Sequence, residues 1–239
     1  MKGELALQGN VGRRLGKVCT TVSAKTGDEM GRKATTAFAL GTDLVEFRVD
    51  LMEKQEPEAI GDLRRFARKA IFTVRRREEG GGFERSEAER LGAISELSRF
   101  RPLYLDVELS TALENPGWYA DLPKSSRKIV SWHDFSRTPT LSVMKRTRVQ
   151  ADAIGDIAKL VTTAKKKDDN TRVLKLYEEH PGALIAFCMG AVGRPSRLAS
   201  LQRGSPIIYA SLPNEPVAPG QLSVTAVVAL KRSWERRGW

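Results

Sequence analysis

Short apolar, β-branched runs recur along this chain at an interval of about 20 to 30 residues, the length of one βα unit. Eight such runs cover residues 17–22, 44–49, 70–74, 103–107, 128–132, 156–161, 184–188 and 206–210. The stretches between them carry helical periodicity. Residues 84–100 place Ala88, Leu91, Ile94, Leu97 and Ser98 on one face, with glutamates and arginines on the other. Residues 221–237 align Leu222, Ala226, Val227 and Leu230 and finish in a basic turn, which suits a helix C-terminus. Strict alternation of strand and helix predicts a parallel sheet. Eight units without a linker, repeat or low-complexity stretch predict an α/β fold of the closed (β/α)8 TIM-barrel type. The barrel is expected over residues 17–239 as a single domain, behind an N-terminal extension, 1–16, that caps the barrel floor or stays mobile.

Composition narrows the functional classes. The 239 residues, 41% hydrophobic, suffice for one large core. No run approaches the roughly 20 apolar residues of a membrane span. The start, Met1-Lys2-Gly3-Glu4-Leu5-Ala6-Leu7, lacks the apolar segment of a signal peptide. Cys19 and Cys188 sit in apolar runs outside any C-x-x-C pair, so they read as reduced core residues of a cytoplasmic protein. His133 and His180 are too few for a histidine-rich metal site. A net charge of +11 points toward nucleic acid. The basic residues, however, are scattered and interleaved with acids, as in Arg77-Glu78-Glu79 and Lys167-Asp168-Asp169, and no RNP-type aromatic motif or zinc finger accompanies them. A solvated basic surface, or attraction for an anionic substrate, explains the charge at least as well. Neither nucleic acid nor membrane is expected as a partner.

In such barrels chemistry gathers at the C-terminal ends of the strands. Polar residues stand at those points here: Thr21, Glu46 and Arg48, Arg75 and Glu79, Asp106 and Glu108, His133, Lys159, and Arg197 beyond Met189-Gly190. Lys159 lies within the apolar run 156–161, where burial disfavours the ammonium and favours a nucleophilic amine able to form a Schiff base. Alone, that run reads rather as an edge strand with Lys159 in water, and His133 alone as a hydrogen-bonded core residue; the rest of the chain reverses both readings. Glu46 and Arg48 alternate with Val45, Phe47 and Val49 and therefore share one face of their strand, looking into the barrel mouth.

Taken in order, the segments Glu46-Phe47-Arg48-Val49-Asp50, Phe72-Thr73-Val74-Arg75 with Glu79-Gly80-Gly81, and Asp106-Val107-Glu108-Leu109 form the first half of a pattern. Ser131-Trp132-His133-Asp134-Phe135, Ile157-Ala158-Lys159, Ser196-Arg197-Leu198 and Ala218-Pro219-Gly220-Gln221 complete it. Over nearly the whole chain this pattern resembles the type I 3-dehydroquinate dehydratases, Schiff-base enzymes of the shikimate pathway. The resemblance implies dehydration of 3-dehydroquinate to 3-dehydroshikimate through an iminium on Lys159, with no metal and no organic cofactor, in a cytoplasmic homodimer. It implies His133 as general acid and base, an imidazole titrating near neutrality, with Glu79 orienting it. Arg197 would clamp the substrate carboxylate, while Thr21, Glu46, Phe47, Arg48, Arg75 and Gln221 would bind the rest of the substrate. The roles of Asp106 and Glu108 stay open between supporting that network and pairing with basic barrel residues.

Two positions depart from the usual pattern. Val217 stands where a serine is common, which removes a hydrogen-bond donor, and Thr21 stands where another serine is common, which keeps one. Two rivals remain at this level: another Schiff-base barrel such as a sugar-acid aldolase, and a basic barrel that binds RNA.

Overall fold

The structure, a computed structural model, describes residues 15–54, 57–178 and 182–238. The expected extension, 1–16, lies outside the described residues except for Leu15 and Gly16, as does His180. All eight expected strands form: β1 (Lys17–Val22), β2 (Leu44–Arg48), β3 (Ala70–Thr73), β4 (Tyr104–Glu108), β5 (Arg127–His133), β6 (Ile157–Thr163), β7 (Leu184–Met189) and β8 (Ile207–Ser211). Each runs parallel to its successor from β1 to β7. β8 returns beside β1, from Lys17↔Ile207 to Thr21↔Ser211. This is the order of a TIM barrel.

The ring has one seam. β7 and β8 share no ladder among the described residues. A two-residue strand, β9 (Leu222–Ser223), takes the free edge of β8 instead. The end of β7 is laced to the loop after β8, where Gly190 N donates to Pro219 O at 3.1 Å.

Helices pack outside: α1 (Gly27–Ala39), α2 (Pro57–Ile60), α3 (Glu87–Ser98), α4 (Leu109–Glu114), α5 (Pro116–Asp121), α6 (Leu141–Ile154), α7 (Lys167–Leu174), α8 (Arg194–Gln202) and α9 (Val224–Glu235). Outward strand residues such as Val45, Phe47, Phe72 and Leu105 bury against them. Inward residues including Leu44, Ile71, Ile129, Ile157, Ile185 and Ile207 fill the barrel floor. The barrel is thus a packed core below, and polar side chains begin one layer above.

Helix boundaries differ from the periodicity for local reasons. α3 starts at Glu87 because Ser86 caps it: Ser86 Oγ accepts from Glu89 N, and the Glu89 carboxylate reaches back to Ser86 N at 3.0 Å. On this helix Ala88 is exposed while Arg90, expected on the solvent face, is buried. α9 starts after Ser223, whose hydroxyl accepts from Ala226 N, and it buries Val224, Val227 and Val228 instead of Ala226 and Leu230.

The seam admits a direct test. Gly220 has φ +76°, and a Cβ there would lie 2.4 Å from Gly190 O. Gly220→Ala is expected to destabilise the fold by about 1–3 kcal/mol through backbone strain at that contact. A lowered urea midpoint at unchanged slope is the expected reading, and an unchanged midpoint would show that the seam yields freely.

Candidate active site

One pocket opens at the C-terminal ends of the strands. Lys159, His133, Glu79, Glu46, Arg48 and Arg75 line it, together with Thr21, Arg197 and Gln221. Phe47 does not. As the residue between Glu46 and Arg48 it faces outward, buried against Phe66 and Phe72 at ring separations of 5.8 and 5.2 Å, so its expected contact with substrate is corrected to a packing role.

Lys159 rises from the middle of β6, in register with Ser131 of β5 and Ile185 of β7. It is 4% exposed. Burial alone does not describe it: Nζ donates to Asp106 Oδ2 at 2.8 Å, approaches Glu46 Oε1 at 3.5 Å, and stands 4.3 Å from the centroid of the Tyr209 ring. The lysine is therefore ion-paired as well as buried. The Tyr209 hydroxyl is buried without a hydrogen-bond partner.

His133 ends β5. Its Nδ1 lies 2.9 Å from Glu79 Oε2, and its backbone N–H donates to the same oxygen at 3.1 Å. This double hold fixes both the ring and the strand end. Glu79 reaches it from a single turn, Arg77–Glu79, which Gly80 closes at φ +77°. Phe135 lies against Gly80 and stacks on His133 at 6.3 Å between centroids.

The electrostatics redistribute the expected titration. Burial, then the Arg75 and Lys159 cations, push the His133 imidazole well below its ordinary value, so it rests neutral. Burial pushes Glu79 up to about 7; Arg75 opposes this, while Glu108 and Asp106 add to it. Within the pair, burial thus moves Glu79 toward neutrality and His133 away from it. With Nδ1–H directed at Glu79, the free Nε2 is a base. Burial disfavours ionised Asp106, but Arg75 and Lys159 outweigh it and hold the carboxyl well below the usual range.

Of the three pocket arginines, two are already engaged. Arg75 donates to Asp106 at 2.9 Å, Glu108 at 2.9 Å and Ser131 at 2.6 Å. Arg48 grips Asp50 with two hydrogen bonds, 2.9 and 2.6 Å long. Arg197 differs. It lies buried over the Phe187 ring at 4.3 Å and donates to Pro219 O at 3.1 Å, but its Nε has no partner and no carboxylate pairs with it among the described residues. Burial lowers this guanidinium to about 10. An unpaired buried cation at a pocket wall is a receptor for an anion.

Gln221 holds the loop after β8 in place. Its Oε1 accepts from Val217 N and Ala218 N at 2.9 and 3.2 Å, and its Nε2 donates to Thr21 Oγ1 and Ala210 O at 3.0 and 3.2 Å. Thr21 in turn donates to Glu46 Oε2 at 2.9 Å. Val217 lines the pocket as an apolar wall. Asp106 and Glu108 belong to the buried network behind the pocket. Sequence reasoning missed Tyr209, although its parity with Ile207 on β8 points it inward. No group of three or more His, Cys, Asp or Glu side chains is placed to hold a metal ion among the described residues.

A family model described as Type I 3-dehydroquinase matches residues 18–233. The chain belongs to that family. Among the relatives of this type I dehydroquinase, the 3-dehydroquinate dehydratase of Thermococcus gammatolerans is 40% identical over 188 residues, covering 76% of this chain and 83% of the relative. That of Pyrobaculum aerophilum is 39% identical over 187 residues, 77% of this chain, although the chain spans only 61% of that protein's length. The crystal structure of the Geobacillus kaustophilus 3-dehydroquinate dehydratase superposes with a TM-score of 0.82 at 26% identity, covering 95% of this chain and 93% of that one.

Glu79 yields a stability prediction. Its folded value near 7 lies above the ordinary 4.5, so the folded state binds its proton more tightly than the unfolded chain does, and stability falls as pH rises through that window. Glu79→Gln removes the term. Relative to the wild type, the variant should gain on the order of 1–3 kcal/mol between about pH 5 and about pH 8 in urea titrations. A constant difference across that range would remove Glu79 as the shifted group.

Proposed function

We propose that this chain is a 3-dehydroquinate dehydratase of the shikimate pathway, acting through a Schiff base on Lys159. The observation that carries the reading is the convergence of a buried lysine amine, a neutral His133 oriented by Glu79, and an unpaired Arg197 in one pocket of a type I dehydroquinase barrel.

The amine of Lys159 adds to the C3 ketone of 3-dehydroquinate, and loss of water gives an iminium. The iminium draws electrons as His133 Nε2 removes a proton from C2, forming an enamine. The enamine then expels the C1 hydroxyl, which leaves as water with the proton His133 carries. Hydrolysis of the iminium releases 3-dehydroshikimate and the free lysine, so one water is lost overall. Glu79 accepts from Nδ1–H and supports the imidazolium between the two proton transfers. The ring of Tyr209 lies beneath Nζ, where it favours the iminium charge.

Arg197 receives the substrate carboxylate, bringing an anion to the one pocket cation without a carboxylate. Arg48 and Glu46 contact substrate hydroxyls from β2. Arg75 and Gln221 act one step back: the first orders the carboxylates around Lys159, and the second holds the loop that carries Val217 and Ala218. An aldolase would use the lysine equally, but it would not need Glu46 and Arg48 set together with Arg197 and Gln221 around it. On the resemblance alone we also propose a homodimer working in the cytoplasm without metal or organic cofactor.

Borohydride added with 3-dehydroquinate should reduce the iminium to a secondary amine and add mass to the peptide containing Lys159. Lys159→Ala should lose both the adduct and turnover. His133→Ala should keep the adduct while turnover falls by about 100- to 10,000-fold or more. Modification of a different lysine, or near-normal turnover without His133, would falsify the assignment.

Arg197→Ala leaves the substrate anion without its cation. A rise in KM corresponding to about 3 kcal/mol, roughly a hundredfold, is expected, with a smaller effect on kcat. Steady-state kinetics on 3-dehydroquinate test this, and an unchanged KM would place the carboxylate elsewhere.

A further inference from the structure

A line of alternating charges leads from Lys159 out through the barrel wall. Asp106 accepts from Lys159 through Oδ2 and from Arg75 through Oδ1. Arg75 also donates to Glu108 Oε1 at 2.9 Å. The other oxygen of Glu108, Oε2, accepts from Arg90 at 2.9 Å. Arg90 then forks onto Glu87, at 2.8 and 2.7 Å, and Glu87 is 39% exposed at the start of α3. The series is Lys159, Asp106, Arg75, Glu108, Arg90, Glu87, and it crosses from the reacting amine to solvent.

Arg90 stands out in it. It is 2% exposed and does not line the pocket. It comes from a helix, whereas the preceding members come from strands or their ends. Its guanidinium is held by Glu87, Glu108, the Val74 carbonyl at 2.6 Å and the Thr111 hydroxyl at 2.6 Å. A buried arginine with every N–H satisfied, one of them by a carboxylate wholly inside the barrel wall, fixes the position of that carboxylate.

We propose that Arg90 is a positioning residue for the Schiff-base chemistry, acting through Glu108 and Arg75 on the Asp106–Lys159 pair. Glu108 divides its charge between Arg75 and Arg90. Without Arg90 the whole of that charge falls on Arg75 and draws it from Asp106, whose charge then falls more heavily on the lysine ammonium. Loss of the Arg90 cation acts in the same sense. Both effects bind the lysine more tightly as its ammonium. Neutralising Glu87 has the opposite sign, because it leaves Arg90 more fully to Glu108 and Arg75 more fully to Asp106.

The charged and titratable groups around this line are few. Glu87 on α3, Glu108 on β4, and Arg75, Arg76 and Glu78 after β3 surround Arg90. Asp106, Glu46, His133, Arg75, Tyr209 and Cys19 surround Lys159. None but Glu87 and Glu78 is strongly exposed.

The inference rests on Lys159 being the reacting amine. It is tested by the pH dependence of borohydride trapping with 3-dehydroquinate in the full-length protein, beside kcat and KM. Arg90→Met should move the acidic limb of trapping upward by about one unit, a tenfold slower reaction below the limb, while KM stays near that of wild type. Arg90→Lys, which keeps a cation and folds more readily, should return the limb most of the way to its wild-type position. Glu87→Gln should move the limb slightly downward. Shifts of one sign in the Arg90 and Glu87 variants, or lower activity without any shift, would overturn the proposal and leave Arg90 a packing residue. Should Arg90→Met fail to fold, Glu87→Gln decides it: a limb moved downward supports the proposal, and a limb unmoved or moved upward overturns it. Trapping that persists in Lys159→Ala would instead overturn the Schiff-base reading, so the two failures are separable.

Discussion

Arg75 divides its guanidinium between Asp106 and Glu108, and the charge pattern of the barrel depends on that division. Two carboxylates buried on one strand, two residues apart, point the same way and would repel each other in a medium of low dielectric. Arg75 separates them, and Ser131 supplies a further hydrogen bond to Asp106 at 2.6 Å. With Asp106 ionised, Lys159 has a fixed partner and a fixed direction. The same cation opposes protonation of His133 from across the pocket. Ground-state order in this site is therefore electrostatic, and the hydrophobic layer beneath it supplies rigidity.

Within the pocket nearly every charge has a counter-charge close by. The chain as a whole carries +11, but that excess is not concentrated at the site. What the site presents to a ligand is a local imbalance at Arg197, whose neighbours are an aromatic ring and a backbone carbonyl. A cation so placed is weakly solvated before an anion arrives, so little water has to be displaced when one does. In the proposed reading, preference for a carboxylate follows from that scarcity of partners more than from overall charge.

Much of this was legible in the sequence because a strand has a period of two. Parity placed Glu46 and Arg48 together, and the run spacing gave the barrel; Lys159 came inside only through the pattern of the whole chain, since its own run reads also as an edge strand. The same rule excludes Phe47, which enters a substrate-contact reading only when its triplet is taken whole. Arg90 was hidden for the opposite reason: helical periodicity is read from apolar residues, so an arginine buried by ion pairing looks like a solvated one. The pairing of Glu79 with His133, 54 residues apart, came from the resemblance and not from any local pattern, and that of Gln221 with Thr21, 200 apart, depends on a loop path that no local pattern encodes. The titration of the pair was equally out of reach, since burial and three neighbouring cations set it.

The seam between β7 and β8 gives the barrel the mechanics of a clamp with a stiff back and two jaws. Asp106, His133 and Lys159 sit on β4, β5 and β6, each strand hydrogen-bonded on both sides within the continuous arc. Arg197 and Gln221 sit at the jaws: Gly190 N and Arg197 both donate across the seam to Pro219 O, while Gln221 ties the loop after β8 to β1 and β8. Among the described residues no strand ladder crosses that gap, so loop and side-chain hydrogen bonds span it. In the proposed reading, the groups that make and break bonds to the substrate thus belong to the continuous arc, and the carboxylate clamp belongs to the gap.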